Sequence, residues 1–133
     1  MSLKVGIDLV AVEDVAASIA THAERYLQRI YTAAELDDCE GVDGTPDPAR
    51  LAARFAAKEA TLKALQVADQ PVPWRAIAVS RGRHGAPSLE LSGAAAALAR
   101  ERGVATLELS LTHQGPYAAA IVVAQSGEDD GSR

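Results

Sequence analysis

The 133-residue chain carries one cysteine, one methionine, one tryptophan and one phenylalanine, and aromatics make up only 4% of it. A lone cysteine, Cys39, excludes an intrachain disulfide and fits a reducing compartment. Three scattered histidines beside that one cysteine lack the ligand spacing of a zinc site. No apolar run approaches the ~20 residues that span a bilayer. Met1-Ser2-Leu3-Lys4-Val5 runs straight into strand-like alternation rather than a signal-peptide pattern, so a cytoplasmic protein with no membrane partner is expected. A surplus of positive charge is missing as well: 13 Lys and Arg against 18 Asp and Glu give a net charge of −5, which argues against broad nucleic-acid binding.

What is present is an ordinary globular composition, 48% hydrophobic and 23% charged, in a chain of one domain's length. Alanine supplies much of the apolar share. A core of Ala, Val, Leu and Ile packs closely but buries little area per residue, so support from oligomerisation is expected. Charge is unevenly placed. Residues 126–133 include Glu128, Asp129 and Asp130 and read as an acidic, disordered tail after a domain spanning 1–125. The stretch from Arg50 to Lys63 is locally basic.

Along residues 3–10, Leu3, Val5, Ile7 and Leu9 alternate with Lys4, Gly6, Asp8 and Val10, the period of a strand that sets Asp8 opposite an apolar face. Glu13 or Asp14 can open a helix, and Val15, Ile19, His22 and Tyr26 continue at helical spacing to about Ile30. Thr32-Ala33-Ala34-Glu35 has the spacing of a capping box. Residues 41–48, with two glycines and two prolines, read as loop. The strongest helix runs from Pro48 or Ala49 to about Gln66, and Pro71-Val72-Pro73 stops any continuation. Ala76–Ser80 and Ser88–Leu91 read as one hairpin, Ser92–Arg102 as an alanine-rich helix closed by Gly103, and Val104–Leu111 with Tyr117–Ala124 as a second hairpin. The order β-α-α-α-β-β-α-β-β predicts an α+β fold, with helices packed on a mainly antiparallel sheet.

Chemistry concentrates on the strongest helix. There Arg50, Arg54 and Lys58 recur every four residues as a cationic ridge, while Glu59 and Lys63 share a neighbouring stripe one turn after Phe55. Such a ridge suits a polyanionic ligand, although most charged helix faces are merely solvated, and Glu59–Lys63 is also a common surface pair. Asp8 can cap the segment after its strand, or meet Glu59 in the oxygen-rich environment that magnesium prefers. His113, at a strand end, is read either as a structural or exposed side chain or as a functional one; His22 and His84 read as surface residues.

Three motifs in order are similar to one family. Gly6-Ile7-Asp8-Leu9-Val10 resembles the opening strand of the acyl-carrier-protein synthase-type phosphopantetheinyl transferases. Arg54-Phe55-Ala56-Ala57-Lys58-Glu59-Ala60-Thr61-Leu62-Lys63-Ala64 resembles their central signature. Ser110-Leu111-Thr112-His113 before Tyr117-Ala118-Ala119-Ala120 resembles their C-terminal hairpin. Arg29-Ile30-Tyr31-Thr32 before Glu35-Leu36 also agrees, so the likeness covers roughly residues 4–124. It implies a 4′-phosphopantetheinyl transferase fold. It also implies transfer of the phosphopantetheine arm of coenzyme A to a serine of an apo acyl carrier protein, releasing 3′,5′-ADP. Asp8 and Glu59 would be the magnesium ligands and Lys63 the contact to the transferred phosphates. Arg54 and Lys58 would hold nucleotide phosphates, with His113 reaching the nucleotide from a neighbouring subunit of a homotrimer. Glu59 and a metal-bound water both stand as general base.

The chain departs from that family at three places. Asp14 stands where many relatives carry an arginine that grips the acidic carrier, leaving Arg25 and Arg29 to steer it. Gln66-Val67-Ala68-Asp69-Gln70 replaces a glycine-rich stretch that lets backbone approach a ligand, and Ala86 replaces a lysine. Asp14 points to a specialised carrier, of a polyketide pathway or similar, with fatty-acid carriers also possible. The alternative is a non-catalytic module of the same fold that binds coenzyme A or a carrier.

Overall fold

The computed structural model describes residues 2–67, 70–81 and 85–127. Strand β1 (Leu3–Ala11) leads into helices α1 (Val12–His22), α2 (Glu24–Ile30), α3 (Ala33–Asp38) and α4 (Pro48–Leu65). A 3-10 turn (Trp74–Ala76), strands β2 (Ile77–Arg81) and β3 (Pro87–Leu91), helix α5 (Gly93–Glu101) and strands β4 (Val104–Gln114) and β5 (Tyr117–Ser126) follow. The strands form two antiparallel sheets: β1-β5-β4, with β5 central, and the β2-β3 ribbon. The expected α+β class is what forms, though the antiparallel pairing is split between two sheets. His84 and residues 128–133 of the expected tail lie outside the described residues. β5 includes Ser126, one residue beyond the expected domain boundary, and Ser126 N–H donates to Ser2 O at 2.9 Å.

Helix α4 is the axis of the core. Its start is well specified: the Asp47 side chain accepts from Ala49 N–H at 3.0 Å, and Pro48 occupies the first turn, where its missing N–H costs nothing. It ends at Gln66, which takes a left-handed conformation at φ 59°. Ala52, Ala53, Ala56, Ala57, Ala60 and Ala64 are all buried, and Ala118, Ala120 and Ala124 of β5 are buried opposite. Small side chains let helix and sheet backbones approach closely. The contact is tightest at Gly6, where an added Cβ would lie 1.9 Å from Ala60 O, so no other residue fits without moving the strand.

One expected element needs correction. The helix expected through Ile30 breaks at Ala23, which adopts φ 48° and ψ −125°, a conformation that costs a non-glycine residue about 1–3 kcal/mol. The Ala23 N–H still donates to Ile19 O, while its carbonyl accepts from Tyr26 and Leu27, so each half keeps its own hydrogen bonds. Helical spacing continues across the break, which is why periodicity alone did not show it. Strand β1 has two unlike faces. Its apolar residues Leu3, Val5, Ile7 and Leu9 face outward and are each more than half exposed, and the face carrying Gly6, Asp8 and Val10 packs on α4.

Candidate active site

β1 and α4 meet at Gly6 and Ala60, and from that contact Asp8 lies two residues along the strand, with Glu59 and Lys63 flanking Ala60 on the helix. Lys63 Nζ donates to Asp8 Oδ1 at 3.0 Å and to Ile7 O at 3.0 Å. Asp8, Glu59 and Lys63 together line an open cleft of about 460 Å³, along with Asp14, Tyr26 and Phe55. Burial, then the charge of Asp8, raises the Glu59 carboxyl above its usual range, with Lys63 opposing. Two carboxylates thus share one cleft with one ammonium bound to the first of them. Among the described residues no third His, Cys, Asp or Glu completes an all-protein metal cage. An oxygen donor set of this kind fits magnesium, which keeps several waters or phosphate oxygens beside one or two carboxylates.

The neighbouring stripe of α4 behaves differently. Lys58 is fully buried, and its ammonium donates to Glu35 Oε1 at 2.8 Å, Ile77 O at 2.6 Å and Trp74 O at 3.2 Å. Those bonds use all three of its donors. Burial lowers the Lys58 pKa, against the pull of Glu35. The expectation that Lys58 holds nucleotide phosphates is therefore corrected: it faces the core between α3 and β2. Successive helix positions are turned by about 100°, so Lys58 and Glu59 point to different surroundings.

Arg54, on the same stripe, is largely buried. Its Nη1 donates to Arg50 O at 3.4 Å, and its Nε is buried without a partner among the described residues. It stands on the side of Cys39, whose thiol burial pushes up to about 11 against the opposing charge of Arg54. Arg50 is paired instead with Asp47 at 3.4 Å. His113 is exposed near the end of β4, in register with Ala118, and does not line the cleft of its own chain.

Arg25 and Arg29 line a second pocket, of about 280 Å³, with His22 and Tyr26. Tyr26 borders both this pocket and the carboxylate cleft, so the two are neighbours. The cleft walls Tyr26 and Phe55 were legible in the sequence only as apolar positions at helical spacing. Glu35 was legible as a cap: Glu35 N–H donates to Thr32 Oγ1 at 3.2 Å, and Thr32 N–H donates to Glu35 Oε1 at 2.9 Å. Its other bonds, from Lys58 and from Val79 N–H at 2.8 Å, join residues distant in sequence and left no local signal.

Known proteins resemble this arrangement over nearly the whole chain. Residues 4–122 match the family model of the 4′-phosphopantetheinyl transferase superfamily. A holo-[acyl-carrier-protein] synthase of Anaeromyxobacter dehalogenans is 46% identical over 127 residues, covering 92% of this chain and 95% of its own. One of Chloroflexus aurantiacus is 41% identical over 133 residues, covering 92% and 97%. Among solved structures, the Chronobacterium ammoniagenes ACPS–CoA complex superposes with a TM-score of 0.78 at 27% identity, covering 96% of this chain and 100% of its own. The Helicobacter pylori holo-[acyl-carrier-protein] synthase in complex with coenzyme A does so with a TM-score of 0.78 at 26% identity, covering 91% and 99%.

Proposed function

The chain belongs to the 4′-phosphopantetheinyl transferase superfamily, and from that premise we propose that it acts as a holo-[acyl-carrier-protein] synthase. It moves the 4′-phosphopantetheine group of coenzyme A to a serine hydroxyl of an apo acyl carrier protein. The serine oxygen forms a bond to the phosphorus that carries the pantetheine, the diphosphate bridge breaks, and 3′,5′-ADP leaves. The observation that carries this reading is the meeting of Asp8, Glu59 and Lys63 in one open cleft.

Each residue has work that its position supports. Lys63 is held by Ile7 O and Asp8 while its side chain stays half exposed, so its ammonium is oriented toward the phosphates rather than buried. Asp8 and Glu59 would hold magnesium. When bound, the ion supplies charge neutralisation of the diphosphate and polarisation of the attacked phosphorus. Glu59 also lines the cleft as an acceptor for the serine proton. The family likeness gives Arg54 a nucleotide phosphate, a role that requires its largely buried side chain to turn outward.

Arg25 and Arg29 receive the carrier beside the cleft. Asp14, which lines the cleft itself, narrows the choice of carrier toward one with fewer acids near its serine, of polyketide or fatty-acid type. The working form is a homotrimer. The outward face of β1, continued by Ile121 and Tyr117 of β5, is an apolar stripe that a lone chain leaves in water, and a neighbouring subunit brings His113 to the nucleotide. A free, buried Cys39 fits a cytoplasmic location.

The test is intact-mass analysis of a panel of apo carrier proteins incubated with the enzyme, coenzyme A and magnesium. A gain of one phosphopantetheine mass on a carrier, abolished by Asp8→Ala or Glu59→Ala, is expected. Coenzyme A binding with no gain on any carrier would instead establish a non-catalytic module.

A further inference from the structure

We propose that the buried Glu35–Lys58 pair positions the two aromatic walls of the cleft, so that Lys58 serves carrier recognition without touching either substrate. The proposal rests on the transferase reading for its kinetic readout and on geometry for the rest.

Two chains of contacts leave the Lys58 ammonium. In the first, Lys58 Nζ donates to Trp74 O at 3.2 Å and to Ile77 O at 2.6 Å, fixing both ends of the 3-10 turn. The Trp74 ring then packs against Phe55 with centroids 5.2 Å apart, and Phe55 lines the cleft. In the second, Lys58 Nζ lies 5.8 Å from the centre of the Tyr31 ring. Tyr31 stacks edge-on against Tyr26 at 5.7 Å, shares a 2.9 Å hydroxyl hydrogen bond with it, and donates to Leu51 O at 3.2 Å. Tyr26 is the wall common to the carboxylate cleft and the Arg25–Arg29 pocket. One ammonium thus stands behind both walls on the side where the carrier arrives.

Stability alone does not call for this pair. Replacing a buried ion pair with apolar side chains of similar volume is often neutral or stabilising. The pair does something an apolar contact cannot, which is to fix two particular carbonyls and one ring relative to Glu59, the next residue on α4. Glu35 completes the device: it is fully buried and holds Lys58 with one oxygen and Val79 N–H with the other.

The experiment compares Lys58→Met, the double variant Glu35→Gln/Lys58→Met, and Tyr26→Phe. Trp74 is the only tryptophan in the chain, so its fluorescence reports the wall directly. Lys58→Met leaves a buried carboxylate and should lower Tm, while the double variant removes that charge and should regain part of the loss, since an amide has one oxygen for the two N–H groups of Thr32 and Val79. In both, carrier KM should rise about tenfold with KM for coenzyme A within about twofold, and Trp74 emission should shift red with greater acrylamide quenching. Tyr26→Phe loses only the hydroxyl link and should raise carrier KM about threefold with no change in Tm. A double variant with wild-type carrier KM and unchanged Trp74 emission would reduce the pair to a structural role and overturn the proposal. A loss falling equally on both substrates would do the same. If the wild type modifies no carrier, the transferase reading fails, and an unshifted Trp74 spectrum in the double variant then separately refutes the positioning.

Discussion

The two lysine ion pairs of helix α4 differ in almost everything except chemistry. Lys58–Glu35 spans 2.8 Å with both side chains 0% exposed, and every donor of the lysine is used. Lys63–Asp8 spans 3.0 Å with side chains 52% and 17% exposed, beside a second carboxylate, Glu59, that has been raised by burial and by Asp8. The first pair is closed and the second is open. A closed pair can only hold structure in place, because any rearrangement strands a charge in the core. An open pair contributes little to stability and leaves its charges free to meet a ligand. Similar residues five positions apart are thereby divided between architecture and chemistry.

The largest expected effect tests the closed side. Lys58→Met strands Glu35 and should cost about 3–5 kcal/mol of unfolding free energy, measured by denaturant titration, with the double variant described above recovering part of it. Gly6→Ala tests the seam between the two sides. Its Cβ would meet Ala60 O at 1.9 Å, so β1 must move off α4, and a loss of about 3 kcal/mol is expected together with loss of transfer. Thr32→Ala removes half of the capping box that orients Glu35 and should cost about 1 kcal/mol, read from the same titrations.

Lys63→Met should reverse the pattern of Lys58→Met. Stability should change by less than about 1 kcal/mol, while the phosphopantetheine gain on the carrier falls at least about a hundredfold, in keeping with removal of a group that stabilises developing phosphate charge. Equal stability losses in Lys63→Met and Lys58→Met would erase the distinction between the two pairs.

The last effect concerns pH and is confined to the alkaline range. Burial raises the Cys39 thiol from 9.0 to about 11, so the folded state keeps it protonated when the unfolded chain would ionise it. That contribution to stability is fully present below pH 9 and is lost as pH rises through about 11. Cys39→Ala should therefore flatten the alkaline decline of Tm over that window and leave the profile near neutrality unchanged.

Much of this was legible in the residues themselves. Asp47-Pro48 and the alanine run specify α4, Thr32 and Glu35 specify the start of α3, and period-two alternation specifies β1. These are local signals, carried by neighbours within a few residues, and they survive in a linear reading. The break at Ala23 gave no such signal, since the helical period runs through it. Two of the three motifs of the family likeness contain Asp8, Glu59 and Lys63, which line one cleft in the structure.

By itself, then, the sequence determined the elements except the division of α1 from α2, the α+β class and the set of charged residues worth watching on β1 and α4. It could not say which charges face outward. Arg54, Lys58, Glu59 and Lys63 all look equally solvated on a helical wheel, because a wheel records angle and not what lies opposite. Only the tertiary structure set α3 and β2 against Lys58 and left Lys63 at the mouth of a cleft. It also turned the apolar side of β1 outward, because Gly6 lets only the other face approach α4. Burial is a property of the whole packed chain, and it is burial that made one lysine part of the frame and left the other available for chemistry.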